Sequence, residues 1–148
     1  MGSLKSKKEK VMGLFHNDLN CAQSVFSVYG KDYGIDEKAA KSIAAGFGSG
    51  IGKTQQICGA ISGAVMVLGA EYFDENNKAE SKEKVYGKTR ELIKSFEEKN
   101  KCSDCRNLIG IDISTEEGLL KACDMDVFNI KCRKYLSDVC DILDELIK

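Results

Sequence analysis

Seven cysteines, at positions 21, 58, 102, 105, 123, 132 and 140, carry most of the chemistry open to this 148-residue chain. Thiolates hold iron–sulfur clusters, exchange with disulfides and bind zinc. Other routes are narrow. His16 is the single histidine, beside Phe15 and Asn17 at the expected end of a helix, where an exposed or capping role fits it best. With one histidine, His-rich metal sites and most hydrolytic triads are out of reach. No Cys-x-x-Cys-His occurs, because Cys105 is followed by Arg106, and this excludes covalent haem c. The stretch Gly46-Phe-Gly-Ser-Gly-Ile-Gly-Lys-Thr54 imitates a phosphate loop at its end. The first glycine of that motif would fall on Phe47, and a helix rather than a strand precedes it, so the stretch reads as a flexible turn where backbone passes close to something.

Composition sets the frame for these thiols. Lysine and arginine number 22 against 23 acidic residues, a net charge of −1, which argues against a general nucleic-acid binder. Hydrophobic residues at 43% and charged ones at 30% suit one globular domain spanning residues 1–148. The longest apolar run, Ala60 to Ala70, falls well short of the roughly 20 residues of a membrane span. The lysine-rich start, Met1 to Lys10, has no apolar core of a secretion signal. A cytoplasmic, reduced protein is expected, in which structural disulfides have no place. Proline is absent, and helix interiors exclude proline most strongly.

The elements that must position the thiols are therefore helices. Periodicity predicts a short amphipathic helix from Lys5 to Asn17, with Lys5, Lys7, Lys8 and Lys10 on a solvated face. A second opens at Asn20, a good cap with Gln23 at the capping-box position, and ends near Gly30 and Gly34. A third covers Asp36 to Ala45 with Ala39, Ala40, Ile43 and Ala44 inward. A fourth is expected from a Thr54 cap through Cys58 to Leu68, apolar almost all round and hence central. Gly59 and Gly63 each cost that helix about 1 kcal/mol relative to alanine, which implies that another helix or a ligand comes close there. A long helix follows from Glu80 to Lys99, then a short one capped by Ser114 with Glu117, then a last one from Ile130 to Leu146. The fold class is all-α, a compact single-domain bundle of about six helices.

The contexts Asn20-Cys21-Ala22-Gln23, Cys58-Gly59-Ala60-Ile61-Ser62-Gly63, Cys105-Arg-Asn-Leu-Ile-Gly110 and Cys132-Arg-Lys-Tyr-Leu occur in that order. In this the chain resembles the family named after its motif, C_GCAxxG_C_C, to which redox activity is ascribed. The resemblance runs from about Lys5 to Leu146. It implies that Cys21, Cys58, Cys105 and Cys132 are the family cysteines, and that Cys102, Cys123 and Cys140 lie outside the motif. The glycine of the family label fits only as Gly59, since Ile57 precedes Cys58.

All four family cysteines fall in or beside the first turn of an expected helix, after Asn20, Thr54, Asp104 and Asn129. Helix N-termini carry about half a positive charge and free N–H donors, which favour thiolate. The expectation is one redox site in which these four converge, with Gly59, Gly63 and Gln23 beside it and the Gly46–Gly52 loop bringing backbone amides near. An iron–sulfur cluster, thiol–disulfide cycling and an all-cysteine zinc site remain open, the last less natural because zinc ligands usually come in close pairs. The first two call for a redox partner protein. A zinc- or packing-stabilised interaction module without redox activity is the alternative of a different class. Cys123 and Cys140 read as packing or surface residues, and Cys102 as a chance neighbour or a resolving thiol in Cys102-x-x-Cys105. The small residues of the central helix could serve a homodimer as well as a monomer core.

Overall fold

The computed structural model describes residues 4–15 and 17–148; the expectation for His16 lies outside them. Among the described residues the secondary structure is helical, with a single antiparallel bridge between Ile57 and Asp104. Eight helices form where about six were expected: α1 Lys7–Phe15, α2 Cys21–Gly30, α3 Glu37–Ala44, α4 Gly59–Tyr72, α5 Lys78–Asn100, α6 Cys105–Ile109, α7 Glu116–Asp124 and α8 Arg133–Leu146. The larger number comes from the chain between α5 and α8, where α6 forms in addition to the short helix expected after Ser114.

Helix α4 is the axis of the bundle. Ala60, Ile61, Ala64, Val67 and Leu68 are fully buried along it. Helix α2 lies against its small-residue face: a Cβ added at Gly63 would meet the Ala22 carbonyl oxygen at 2.9 Å and the Val25 Cβ at 3.0 Å. Helix α5 contributes Leu92 and Phe96, α8 contributes Leu136, Val139 and Leu143, and α1 closes the end with Val11, all fully buried. Each such large apolar side chain stabilises the fold by about 1.5–3 kcal/mol. Cys105, Ile109, Ile113, Ala122 and Val127 form a second, smaller apolar cluster, with Phe128 and Cys132 packed against it.

Caps account for several helix starts. Asn20 and Gln23 make the expected box: the Asn20 side chain accepts from the Gln23 N–H, and Gln23 Oε1 accepts from the Asn20 N–H, both at 2.9 Å. Asp104 caps α6 by accepting from the Asn107 N–H at 3.0 Å. Three expected caps are corrected. Thr54 does not start α4; its hydroxyl turns back to the carbonyls of Gly50 and Ile51, and Cys58 stands at the N-cap. Thr115, not Ser114, caps α7, because the Ser114 hydroxyl is spent on Asp112. Asn129 caps nothing, since its amide donates to Asp126 and a π-helical turn, Phe128–Cys132, runs straight into α8. In α3, Ala40 and Ala44 are buried as expected, whereas Ala39 is exposed and Ile43 stays 57% exposed. The N-terminal lysines form surface ion pairs, Lys7 with Asp32 and Lys8 with Asp141. Among the described residues no helix is long and apolar enough to cross a membrane.

Candidate redox site

Cys21, Cys58, Cys105 and Cys132 line one cavity of about 60 Å³. Its remaining wall is mostly apolar, with Leu108, Ile109 and the aromatic rings of Phe15, Phe128 and Tyr135. The volume has room for roughly four to six water-sized groups at about 10–15 Å³ each. The cavity lies at the seam of the two apolar clusters. Cys58 belongs to the main core and Cys21 packs against it, while Cys105 belongs to the smaller cluster and Cys132 packs against that. Cys58 and Cys105 are almost closed off, at 7% and 6% exposure, and Cys21 and Cys132 are partly open to solvent.

Local structure explains each placement. Cys21 is the first residue of α2, directly after the Asn20 cap, and Cys105 is the first residue of α6, after the Asp104 cap. Cys58 is the N-cap of α4, and its own N–H donates to the Ser103 carbonyl at 2.8 Å. The Ala60 N–H, unpaired inside its helix, faces both the Cys21 and the Cys58 sulfur; the Ile61 N–H faces Cys58, and the N–H groups of Ala22 and Ser49 face Cys21. Cys132 differs. It ends the π-helical turn and reaches the cavity by helix register, not from a helix N-terminus.

The Gly46–Gly52 stretch is a built element. Ser49, Gly50, Ile51, Gly52 and Lys53 all have φ between 53° and 68°, a left-handed turn. Such a run is rare, because each residue other than glycine pays about 1–2 kcal/mol for that conformation. It is held by the Gln56 N–H on the Gly50 carbonyl at 2.8 Å and the Gln55 N–H on the Ser49 carbonyl at 3.1 Å. Asn20 Nδ2 ties the chain just before it by donating to the Ala45 carbonyl at 2.9 Å. Ser49 thereby lines the cavity and turns its N–H toward Cys21.

Electrostatics reverse one expectation. The thiols are not held as thiolates by the helix N-termini. Burial pushes Cys21 up and Cys58 well up, and it pushes Cys105 and Cys132 each up to about 12. The N–H groups offset only part of this, and neighbouring sulfurs raise one another further, Cys21 acting on the other three. The site of this chain by itself is four neutral thiols.

Of the other expected site residues, Gly59 lines the cavity, whereas Gly63 and Gln23 do not. Gly63 serves the α2–α4 contact. Gln23 spends its amide on the Asn20 N–H and on the Lys41 carbonyl at 3.0 Å, which fixes α2 to α3. The Cys102-x-x-Cys105 pair is split: Ser103 and Asp104 run extended against Ile57 and Cys58, and the Cys102 thiol faces the Asn100 carbonyl at 3.8 Å. Cys140 is fully buried in the main core and Cys123 is exposed. All seven cysteines are free thiols, and among the described residues no three His, Cys, Asp or Glu side chains are grouped to hold a single metal ion. Sequence reasoning brought the Gly46–Gly52 backbone near the site without singling out Ser49, and it missed Phe128 and Tyr135. The run of glycines was the only signal for the first, and aromatic residues on helix faces read as core.

No curated protein and no solved structure matches the chain. A family model described as "Putative redox-active protein (C_GCAxxG_C_C)" matches residues 19–146, a span that holds all four cavity cysteines. This chain belongs to the C_GCAxxG_C_C family.

Proposed function

We propose that Cys21, Cys58, Cys105 and Cys132 together hold a small iron–sulfur cluster and that the protein exchanges electrons with a partner redox protein. One observation carries the reading: these four thiols, and none of Cys102, Cys123 and Cys140, line a single cavity. The donor set fits such a group, because four thiolates suffice for a [2Fe–2S] or [4Fe–4S] centre, which when bound supplies one-electron transfer. The spacing also favours it over zinc. Zinc ligands usually come as close-spaced pairs, and Cys21 and Cys58 stand 37 residues apart. The chain's own contribution is threefold. It supplies the sulfurs, it turns backbone N–H groups of Ser49, Ala22, Ala60 and Ile61 onto two of them, and it keeps bulk water from most of the wall with Leu108, Ile109 and Phe128. Seven free thiols call for a reducing compartment, the cytoplasm.

A second reading is favoured by one contact. Cys21 and Cys58 share the Ala60 N–H, which suits them to pair. Two thiols would become one disulfide, releasing two protons and passing two electrons to the disulfide of another protein, which is reduced to two thiols.

Anaerobic purification, with the visible spectrum and assays of iron, acid-labile sulfide, zinc and free thiols on one sample, separates the readings. Charge-transfer absorption with matched iron and sulfide, lost in Cys58→Ser, is the expected result. A colourless protein that takes up neither element on reconstitution, yet loses thiols in pairs on mild oxidation, moves the assignment to the disulfide couple.

A further inference from the structure

Gln55 is polar yet only 4% exposed, and its backbone is left-handed, with φ at 55°. It follows the left-handed turn and is buried against the loop between α6 and α7. Its amide is committed. Oε1 accepts from the Ile113 N–H at 2.9 Å, and Nε2 donates to the Ile111 carbonyl at 2.8 Å. These two bonds settle which end of the amide carries nitrogen, since a flip would set oxygen against a carbonyl and NH₂ against an N–H. The nitrogen has a second proton, and the Cys105 sulfur lies within its hydrogen-bonding reach. The backbone locks the two residues side by side: the Arg106 N–H donates to the Gln55 carbonyl at 3.1 Å and the Cys105 N–H to the Gln56 carbonyl at 2.6 Å. Gln55 does not line the cavity, so it meets the sulfur from outside the cavity wall.

We propose that Gln55 is a positioning residue for the redox site: its amide fixes the Cys105 sulfur in the cavity wall and, by donating an N–H to it, raises the reduction potential of the centre that Cys105 helps to hold. The inference rests on the cluster reading above. Hydrogen bonds to the sulfurs are among the factors that set such potentials, and a donor stabilises the more electron-rich state. The orientation makes the effect one-directional, because the same amide cannot turn an acceptor to the sulfur without breaking its bonds to Ile111 and Ile113.

Two variants of the full chain test this. Gln55→Met keeps the length and removes every polar atom. Gln55→Glu keeps the acceptor for the Ile113 N–H and replaces the donor by a second acceptor. Both are expected to lower the midpoint potential of the cluster-loaded protein. The reduction equilibrium should fall about tenfold for Met, about 59 mV for one electron, and further for Glu. A purely structural role would reduce cluster content and stability while leaving the potential of the loaded fraction where it was, and that result overturns the proposal. The second readout needs no cluster and no Gln55 variant. In the reduced, metal-free chain, the Gln55 side-chain amide protons should shift in NMR spectra on Cys105→Ala and hold still on Cys140→Ala. Amide protons indifferent to Cys105 overturn the contact itself. A chain that binds no cluster overturns the cluster reading and the effect on the potential, and the amide protons then still report whether Gln55 touches Cys105.

Discussion

The Cys21 sulfur rests on the bare Cα of Gly59, where any side chain would collide with it and with the Phe47 carbonyl. One glycine thus sets the spacing between a sulfur on α2 and the start of α4. In Gly59→Ala the methyl would press on the Cys21 sulfur, which can swing away only by leaving its place in the site, and on the Phe47 carbonyl, which is backbone and yields less readily. Overpacking of this kind costs about 1–3 kcal/mol. The expected outcome is a chain that still folds, with a lowered denaturation midpoint and a site that no longer closes on Cys21. Urea unfolding together with iron and thiol assays checks both halves, and wild-type behaviour in both would mean that this contact does not set the site.

Burial of the thiols gives stability a pH dependence on the alkaline side. Burial holds Cys105 and Cys132 at about 12 in the fold, against 9.0 for an unperturbed thiol. Between those values the unfolded chain loses thiol protons that the folded chain keeps. The contribution is therefore intact below about pH 9 and is lost progressively as the pH rises toward 12. The metal-free protein should show a urea midpoint that falls steeply over this window. The double variant Cys105→Ala/Cys132→Ala should show a shallower fall. Equal slopes in the two proteins would mean that these thiols are not the groups responsible.

Lys53 holds a left-handed φ of 67° on an exposed side chain. Glycine adopts that conformation without steric cost, although it gives back some conformational entropy in the unfolded chain. Lys53→Gly is expected to stabilise the protein by up to about 1 kcal/mol and to leave the site unchanged. Lys53→Val, β-branched and strained at the same φ, should destabilise by a similar or larger amount. Thermal unfolding of the pair supplies the comparison; a destabilised glycine variant would show that the turn is less strained than its dihedral angles imply.

Tyr29 offers a control outside the cavity lining. Its ring is fully buried, and its hydroxyl donates to Asp144 Oδ1 at 2.7 Å, which joins α2 to α8. Tyr29→Phe should cost about 1–2 kcal/mol, the range for a hydrogen bond to a charged partner reduced by the exposure of Asp144. The redox signal should not change. A loss of that signal at preserved stability would reveal a coupling that the packing does not contain.

The sequence made the caps readable, and with them two of the four sulfurs. Asn20 with Gln23, and Asp104, are side chains whose chemistry shows in their type and spacing, so Cys21 and Cys105 fell where expected. Cys58 came out at a helix start for a different reason from the one given, because Thr54 bonds back into the left-handed turn and leaves the N-cap to the cysteine. Cys132 was out of reach of such reasoning. The π-helical turn before it adds register without a distinctive residue, and Asn129 beside it looks like a cap while serving Asp126. The thiol charge state was also illegible, since local helix ends argue one way and the depth of burial, a property of the whole fold, argues the other. Gln55 shows the same limit: nothing near it in sequence tells that Ile111 and Ile113 will surround its amide.

The seam between the two apolar clusters has one more consequence. Two sulfurs ride on the main bundle and two on the lobe that runs from α6 to the π-helical turn, so neither body owns a whole site. Anything bound by all four is a clasp across the joint. An occupied clasp fastens the lobe to the bundle at two points, and an empty one leaves it held by packing, backbone bonds and the Gln55 amide on Ile111 and Ile113. Amide exchange in residues 105–132 should therefore slow on occupation far more than exchange in α4, which makes the joint between the two clusters the place where occupancy is read.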